Sequence, residues 1–353
     1  MKAVVFTGPT LPPAEAATIL EAEYLPPAAI GDVYRAALQR PWAIGIIDGF
    51  FESTPSVWHR EVLWAMAQGI HVFGAASMGA LRAAELNAFG MVGVGEIFAA
   101  YRDGLIEDDD EVAVVHGPPE LGYVQLSEAM VNIRASLRRA MAARVIEPAT
   151  AERLIEIGKR LFYKERSYQR LLTGGAEAGL PSAEIDALRG WLRANQVNQK
   201  RLDAVALLQA VGSARAQANG PMQAAYRFER TSTWEAVERQ FAPGSGAAGI
   251  ANGGMTADLL GEPRLTDDET QRDTLLRQLA RREAERQGVQ PGVTELSEAT
   301  RAFCRRRGLA SQADLEAWLA AQGIDRASFL RLMADEACIA WAERSIGNRE
   351  SDG

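Results

Sequence analysis

The residues whose types and spacing could do chemistry gather early in this 353-residue chain. Gly69 to Leu86 reads GIHVFGAASMGALRAAEL. An apolar run with β-branched and aromatic residues breaks at small residues and continues as an Ala/Leu/Arg/Glu pattern, which predicts strand, tight turn and helix. Ser77 stands at the break, with Ala75 two residues before it and Gly79 two after. That is an Ala-x-Ser-x-Gly version of the nucleophile elbow, in which a sharp strand-to-helix turn presents a hydroxyl beside the free N–H groups of a helix start. A serine nucleophile needs a base, and the base needs an orienting group. His116 and Asp48 supply those types from the ends of two other predicted strands. The same pattern also fits a serine helix N-cap, and a strand-end histidine can simply bond to backbone, so the residues leave both alternatives open.

The chain has three histidines, His59, His71 and His116. His59 falls in a predicted helix, and His71 begins the elbow strand at its amino end. Candidate anion- or substrate-binding residues accompany the proposed triad. Thr7 and Gly8 lie in the loop TGPTLPP, Glu52 follows Asp48, Gly79 lies at the helix start, and Arg82 is one turn into that helix. Arg82 could turn to the helix start and hold a carboxylate or phosphate, or pair with Glu85 three residues on. The TGPTLPP loop has too few glycines for a dinucleotide or Walker-type fingerprint. We therefore expect no cofactor, though a nucleotide in the crevice is left open. The two cysteines, Cys304 and Cys338, are far apart with no histidine nearby, so no metal site is expected.

These groups need a scaffold that brings strand ends together. Strands are predicted at Ala3–Phe6, around Ala22–Leu25, at Ala43–Ile47, at the elbow and in the stretch EVAVVHGPP ending at His116, with helices between most of them. This alternation predicts a parallel sheet covered on both faces, a Rossmann-like α/β fold whose ligands bind at the carboxyl ends of the strands. VGEIFAAYRDG is read as a helix closed by Gly104, and the acidic EDDDE run as a solvated loop. From about Leu126 long amphipathic helices take over. Their charged clusters, Lys164 with Glu165 and Arg166, and Arg201 with Asp203, are read as solvated faces or intrahelical pairs.

The expected organisation is an α/β core over 1–125, a helical part of the same core over 126–240, a Gly-rich linker over 241–262 and a helical appendage over 263–346. The fold class is thus an N-terminal parallel-sheet domain followed by a mostly helical C-terminal region. A formal net charge of −8 argues against a broad nucleic-acid surface. The N-terminal apolar run breaks at Gly8 and Pro9, too early for a signal peptide, and no stretch is long enough for a spanning helix. A cytoplasmic protein without nucleic-acid or membrane partners is expected.

Several phrases together resemble the TfuA-like family, named from the trifolitoxin biosynthesis system. They are VFTGPTLPP, LPPAAIGDVYRA, IGIIDGFFESTPSVWHREVLWAMAQGIHVFGAASMGALRAAEL, FGMVGVGEIFAAYRDG, DDEVAVVHGP, LSEAMVNIR, FYKERSYQRLL and QKRLDAVALL. The resemblance covers roughly residues 1–210. It implies work beside a YcaO enzyme, which uses ATP to activate a peptide amide, and a thioamide product in a ribosomally made peptide or in a target protein. It also implies delivery of sulfide, for example by hydrolysing the thiocarboxylate of a ThiS-like sulfur-carrier protein, or activation of the YcaO enzyme. The expected partners are therefore a YcaO enzyme, a ThiS-like carrier and a precursor peptide. The resemblance assigns no catalytic residue; Ser77, His116 and Asp48 rest on their chemistry alone.

Overall fold

A computed structural model describes residues 2–50, 55–116, 125, 127–217 and 220–241. It also describes most positions from 280 to 350 other than 282–283, 285, 288, 290, 292, 310–311 and 323–325. The chain divides into two compact units, one of residues 1–115 and 125–250, the other of 116–124 and 251–353. The expected linker, apart from residue 241, lies outside the described residues.

The first unit is built on five parallel strands: β1 (Ala3–Phe6), β2 (Ala22–Leu25), β3 (Ala43–Ile46), β4 (His71–Ala75) and β5 (Val92–Val94). They lie in the order β2-β1-β3-β4-β5. Strands β1 and β3 are buried throughout, which is why they read as continuous apolar runs rather than alternating ones. The register pairs Phe6 with Ile46 and Ile46 with Gly74, so Thr7, Asp48 and Ser77 all leave the sheet at its carboxyl edge. In this strand order the chain reverses direction between β1 and β3, the place where doubly wound sheets open a crevice.

One sheet face packs Val4, Phe6, Ile44, Ile46 and Val72 with helices α2 (Asp32–Leu38), α3 (His59–Ala67) and α4 (Met78–Leu86). The other packs Val5, Phe73 and Ala75 against Leu11 and Ala16, the latter on the short helix α1 (Pro13–Ala16), and against Leu207, Leu208 and Val211. Those last three residues belong to the long helix Gln199–Ala216. Between the sheet's last crossover and that helix run α5 (Glu96–Arg102), α6 (Met130–Ala142), α7 (Pro148–Arg160), α8 (Tyr168–Glu177) and α9 (Ser182–Asn195), so Gln199–Ala216 is α10. Helices α6 to α9 make their own core of Met130, Ile133, Leu137, Leu154, Leu171, Ile185, Leu188 and Leu192. A final helix of the unit, α11 (Ser232–Phe241), seats Trp234 against Tyr34 and Trp64.

The described part of the second unit is helical. Helices Val293–Arg306, Gln312–Gln322 and Arg326–Glu350 bury Phe303, Leu315, Leu319, Phe329 and Met333.

The parallel α/β sheet with a mostly helical remainder matches the sequence expectation, with two differences. The stretch ending at His116 is no sheet strand: Asp109–Glu111 is a short 3-10 turn, and the backbone beyond it bonds locally, Val115 N–H to Ser127 Oγ at 2.8 Å. The fifth strand is instead Val92–Val94, where no strand was expected; its last residue opens VGEIFAAYRDG, the stretch read as helix. Its three residues centre on a glycine and are flanked by Gly90 and Gly95 at φ +106° and +96°, so neither length nor composition announces a strand. Among the described residues no helix is long and apolar enough to cross a membrane.

Candidate functional site

The β4–α4 turn owes its sharpness to small residues. A Cβ on Gly79 would lie 1.8 Å from the Ile46 carbonyl oxygen, and one on Gly74 would lie 2.2 Å from the Gly79 oxygen. Helix α4 therefore starts pressed against the ends of β3 and β4. Gly79 serves this close approach, and its own N–H is engaged, donating to the Ile47 carbonyl at 3.3 Å. Ser77 N–H donates to the Ala75 carbonyl at 2.8 Å, closing a three-residue turn whose central residue, Ala76, has φ +67°. Such a turn is rare and strained in an L-residue. The strain of an elbow is present, but it falls on Ala76, one residue before the serine.

Ser77 occupies the N-cap position of α4, yet its side chain makes no capping hydrogen bond. It is 9% exposed. Its hydroxyl has no hydrogen-bond partner among the described residues, so the cap alternative is not the arrangement observed. The N–H groups at the helix start are largely engaged: Ser77 to Ala75, Gly79 to Ile47 and Ala80 to the Ser77 carbonyl. Met78 is the remaining one.

Asp48 leaves β3 next to this turn and is buried. Its Oδ2 accepts from Gly8 N–H at 2.9 Å and Thr10 N–H at 3.0 Å, while Oδ1 accepts from Thr10 Oγ1 at 2.6 Å. Thr7 Oγ1 donates to the Leu11 carbonyl at 2.6 Å. Thr7, Gly8 and Asp48 thus shape the loop after β1. Their polar groups meet each other rather than an open cradle.

Arg82 is likewise committed. Nε donates to Val57 O at 2.8 Å, Nη2 to Ser56 Oγ at 3.0 Å and Nη1 to Glu85 Oε2 at 2.7 Å. Of the two alternatives for Arg82, the pair with Glu85 is present, and the guanidinium pins the loop before α3. Glu85 also meets His59 Nε2 at 2.7 Å. His71 Nε2 lies 2.8 Å from Gly220 O, at the amino edge as expected. His116 falls in the second compact unit, so the unit holding Ser77 and Asp48 does not contain it. Glu52 lies outside the described residues. Among the described residues no group of three His, Cys, Asp or Glu side chains could hold a metal ion.

Sequence reasoning passed over Lys200. It sits in the first turn of α10, is 3% exposed, and donates from Nζ to Val112 O at 2.8 Å. Burial pushes its ammonium below the ordinary lysine range, while the carboxylates of Asp48 and Glu128 pull it back up. A buried amine so tuned has the properties of a proton acceptor. In the sequence it is one more cation in a charged helix. Only the fold, which lays α10 across the sheet, buries it where the Asp48 charge is felt.

Two readings of charge as solvated are corrected by burial. Arg166 is fully buried and donates to Asp110 Oδ2 at 2.6 Å and Gly158 O at 3.0 Å. Asp203 is buried and accepts from Ile97 N–H at 2.8 Å and Gln199 Nε2 at 2.8 Å. The acidic run is anchored too, with Glu111 buried and held by both Arg134 nitrogens at 2.9 and 2.8 Å.

No curated protein matches the chain. Residues 48–167 match a family model described as TfuA-like protein. The matched stretch opens on Asp48 and includes the whole β4–α4 turn with Ser77, and it identifies this part of the chain as a TfuA-like region, in agreement with the resemblance carried by its motifs.

Proposed function

We propose that this chain is an accessory protein of peptide thioamidation by a YcaO enzyme, and that it supplies sulfide by hydrolysing a thiocarboxylated ThiS-like carrier protein. The observation that carries the reading is the Ser77 hydroxyl, unpartnered among the described residues, at a strained strand-to-helix turn within the TfuA-like region. Ser77 Oγ attacks the thiocarboxylate carbon and its proton passes to a base. The C–S bond breaks, hydrosulfide leaves, and water then hydrolyses the acyl-serine to a carboxylate. Lys200 takes the base role in this unit, with the Asp48 carboxylate as a fixed negative charge that favours its protonated form. The reading invokes no metal and no cofactor.

A second reading is favoured by the engaged donors at the start of α4 and by the commitment of Asp48 and Arg82 to loop bonds. In it the α/β unit docks on and activates the YcaO enzyme and its precursor peptide without turning over a substrate. The separating experiment incubates a thiocarboxylated carrier with wild type and with Ser77→Ala and measures released sulfide. Hydrolysis predicts loss of at least 100-fold in the variant with unchanged folding. Wild-type release from Ser77→Ala would leave only docking. In a YcaO assay supplied with free sulfide, full replacement of the protein marks delivery as its task. A continuing requirement for the protein marks activation.

A further inference from the structure

The sheet of the first unit ends in two edge strands that are built differently. Strand β2 ends it on one side, where Glu21 and Glu23 stand exposed, Glu21 pairs with Lys2 at 3.4 Å, and Pro26 and Pro27 follow the strand. Charges and prolines of this kind keep foreign strands from pairing with an edge. Strand β5 ends the sheet on the other side, and Gly90 to Gly95 reads GMVGVG, with neither charge nor proline. Among the described residues β5 pairs with β4 alone.

The side chains beside this bare edge are apolar. Val94 packs into the core that α10 shares, and the alternation of a strand puts Val92 on the same face, where it is 41% exposed. Phe89, three residues earlier, is 45% exposed and meets Tyr226 edge-on, with ring centroids 5.9 Å apart. The opposite face is filled, because a Cβ on Gly93 would lie 2.2 Å from the Phe98 ring. The size of the edge selects its occupant. Three residues span about 10 Å, too little for two subunits, whose stable interfaces bury about 1,200–2,000 Å², but enough to hold an extended tail by main-chain hydrogen bonds. Direction selects further. Val94 is level with Ala75, so a tail that adds parallel to β5 arrives with its carboxyl end at the edge of the sheet where Ser77 leaves β4, whereas an antiparallel tail ends at the amino edge.

We infer that the outer edge of β5 is the docking strand for the C-terminal tail of the carrier protein, which adds parallel to β5 and brings its terminal thiocarboxylate to the carboxyl edge of the sheet. The inference rests on the proposed function for the identity of the tail. A sixth strand lies two strand spacings from β4, about 10 Å, and about three extended residues cross that distance. With about three more to pair with β5, the tail must be free and extended over about six residues.

The test mixes the full-length protein with the carrier in its carboxylate form and follows amide hydrogen exchange by mass spectrometry. Exchange over Met91–Val94 is expected to slow by about 10-fold or more, and a carrier lacking its last six or so residues is expected to leave these amides unchanged. Unchanged exchange at β5 in the presence of saturating full-length carrier overturns the inference. Val92→Lys sets a charged guard on this edge, as β2 has on its own, and is expected to weaken carrier binding and raise the KM of sulfide release by about 10-fold. Carrier binding equal to wild type in a folded Val92→Lys overturns the inference; if the variant does not fold, the exchange measurement on wild type decides. Sulfide release with β5 unprotected keeps the hydrolysis and removes the docking strand. Protection of β5 without release keeps the docking strand and removes the hydrolysis. A wild-type dimer in sedimentation that Val92→Lys separates makes a second copy the occupant of the edge, and this too overturns the inference.

Discussion

Asp48 holds three donors of the loop after β1 with one buried carboxylate, and hydrogen bonds to a charged acceptor contribute about 1.5–3 kcal/mol each. Asp48→Asn turns an amide NH2 toward at least one of those donors. It is expected to lower stability by about 3 kcal/mol in urea unfolding, with an unchanged dependence on denaturant. Thr10→Val removes only the 2.6 Å hydroxyl bond and is expected to cost about 1 kcal/mol. Equal stabilities for Asp48→Asn and wild type would mean that the carboxylate is not held by this loop and is available for the orienting role. Lys200 marks what single-residue reading misses. A lysine is ordinarily a surface residue, and the carbonyl that receives its buried amine belongs to Val112, brought to it by tertiary packing from 88 positions away.

At the scale of elements, the seat of α4 on the sheet makes opposite predictions for two glycines that both lie in helices. Gly79→Ala improves helix propensity by about 1 kcal/mol but sets its Cβ 1.8 Å from the Ile46 oxygen, and backbone cannot yield as a side chain can. Helix α4 must lift from β3, and a net loss of about 3 kcal/mol or more is expected. Gly190→Ala in α9 meets nothing within 4 Å and is expected to stabilise by about 0.5–1 kcal/mol. Thermal unfolding of the two variants checks the contrast, and a neutral Gly79→Ala would refute the close seat. This is also why the elbow was readable in advance: the demand for small side chains is local and is written into GAASMG. Strands β1, β3 and β4 were readable for the same reason, because burial on both faces imposes an unbroken apolar run. Strand β5 was not, because three residues around a glycine gain their ladder only from β4. EVAVV failed in the other direction. Its Val112 and Ala113 are buried, but the Val112 carbonyl accepts from Lys200 and that of Val115 from Ser127, so the segment packs without joining the ladder.

Across the whole first unit, buried ionisable groups act on stability in opposed pH ranges. Burial raises Glu61 to about 7 from 4.5, against the N–H groups of Gly31, Tyr34 and Trp58 that favour its charged form. Burial also raises Glu128 and Asp203. For an acid raised on folding, the stabilising effect is complete below the unfolded value and is lost as pH rises through the folded one. Acidifying from neutral toward about pH 5 should therefore stabilise the unit, with Glu61 contributing on the order of 3 kcal/mol. Asp110 works the other way. Although burial favours its neutral form, Lys159 and Arg166 hold its carboxyl below the usual range, so its contribution is present above the ordinary aspartate value of 3.8 and fails as pH falls further. That loss matters beyond one ion pair. Lys159 of α7 bonds Asp110 and Asp108 and Arg134 of α6 bonds Glu111, so the acidic run fastens the helical core to the segment leaving the sheet. Urea midpoints should rise from pH 7.5 to about 5 and fall steeply below about 3.5. Glu61→Gln should remove most of the rise and leave the fall, while Asp110→Asn should lower the maximum and soften the fall. A midpoint that only decreases from pH 7.5 downward would show that Glu61 does not carry a buried charge at neutral pH.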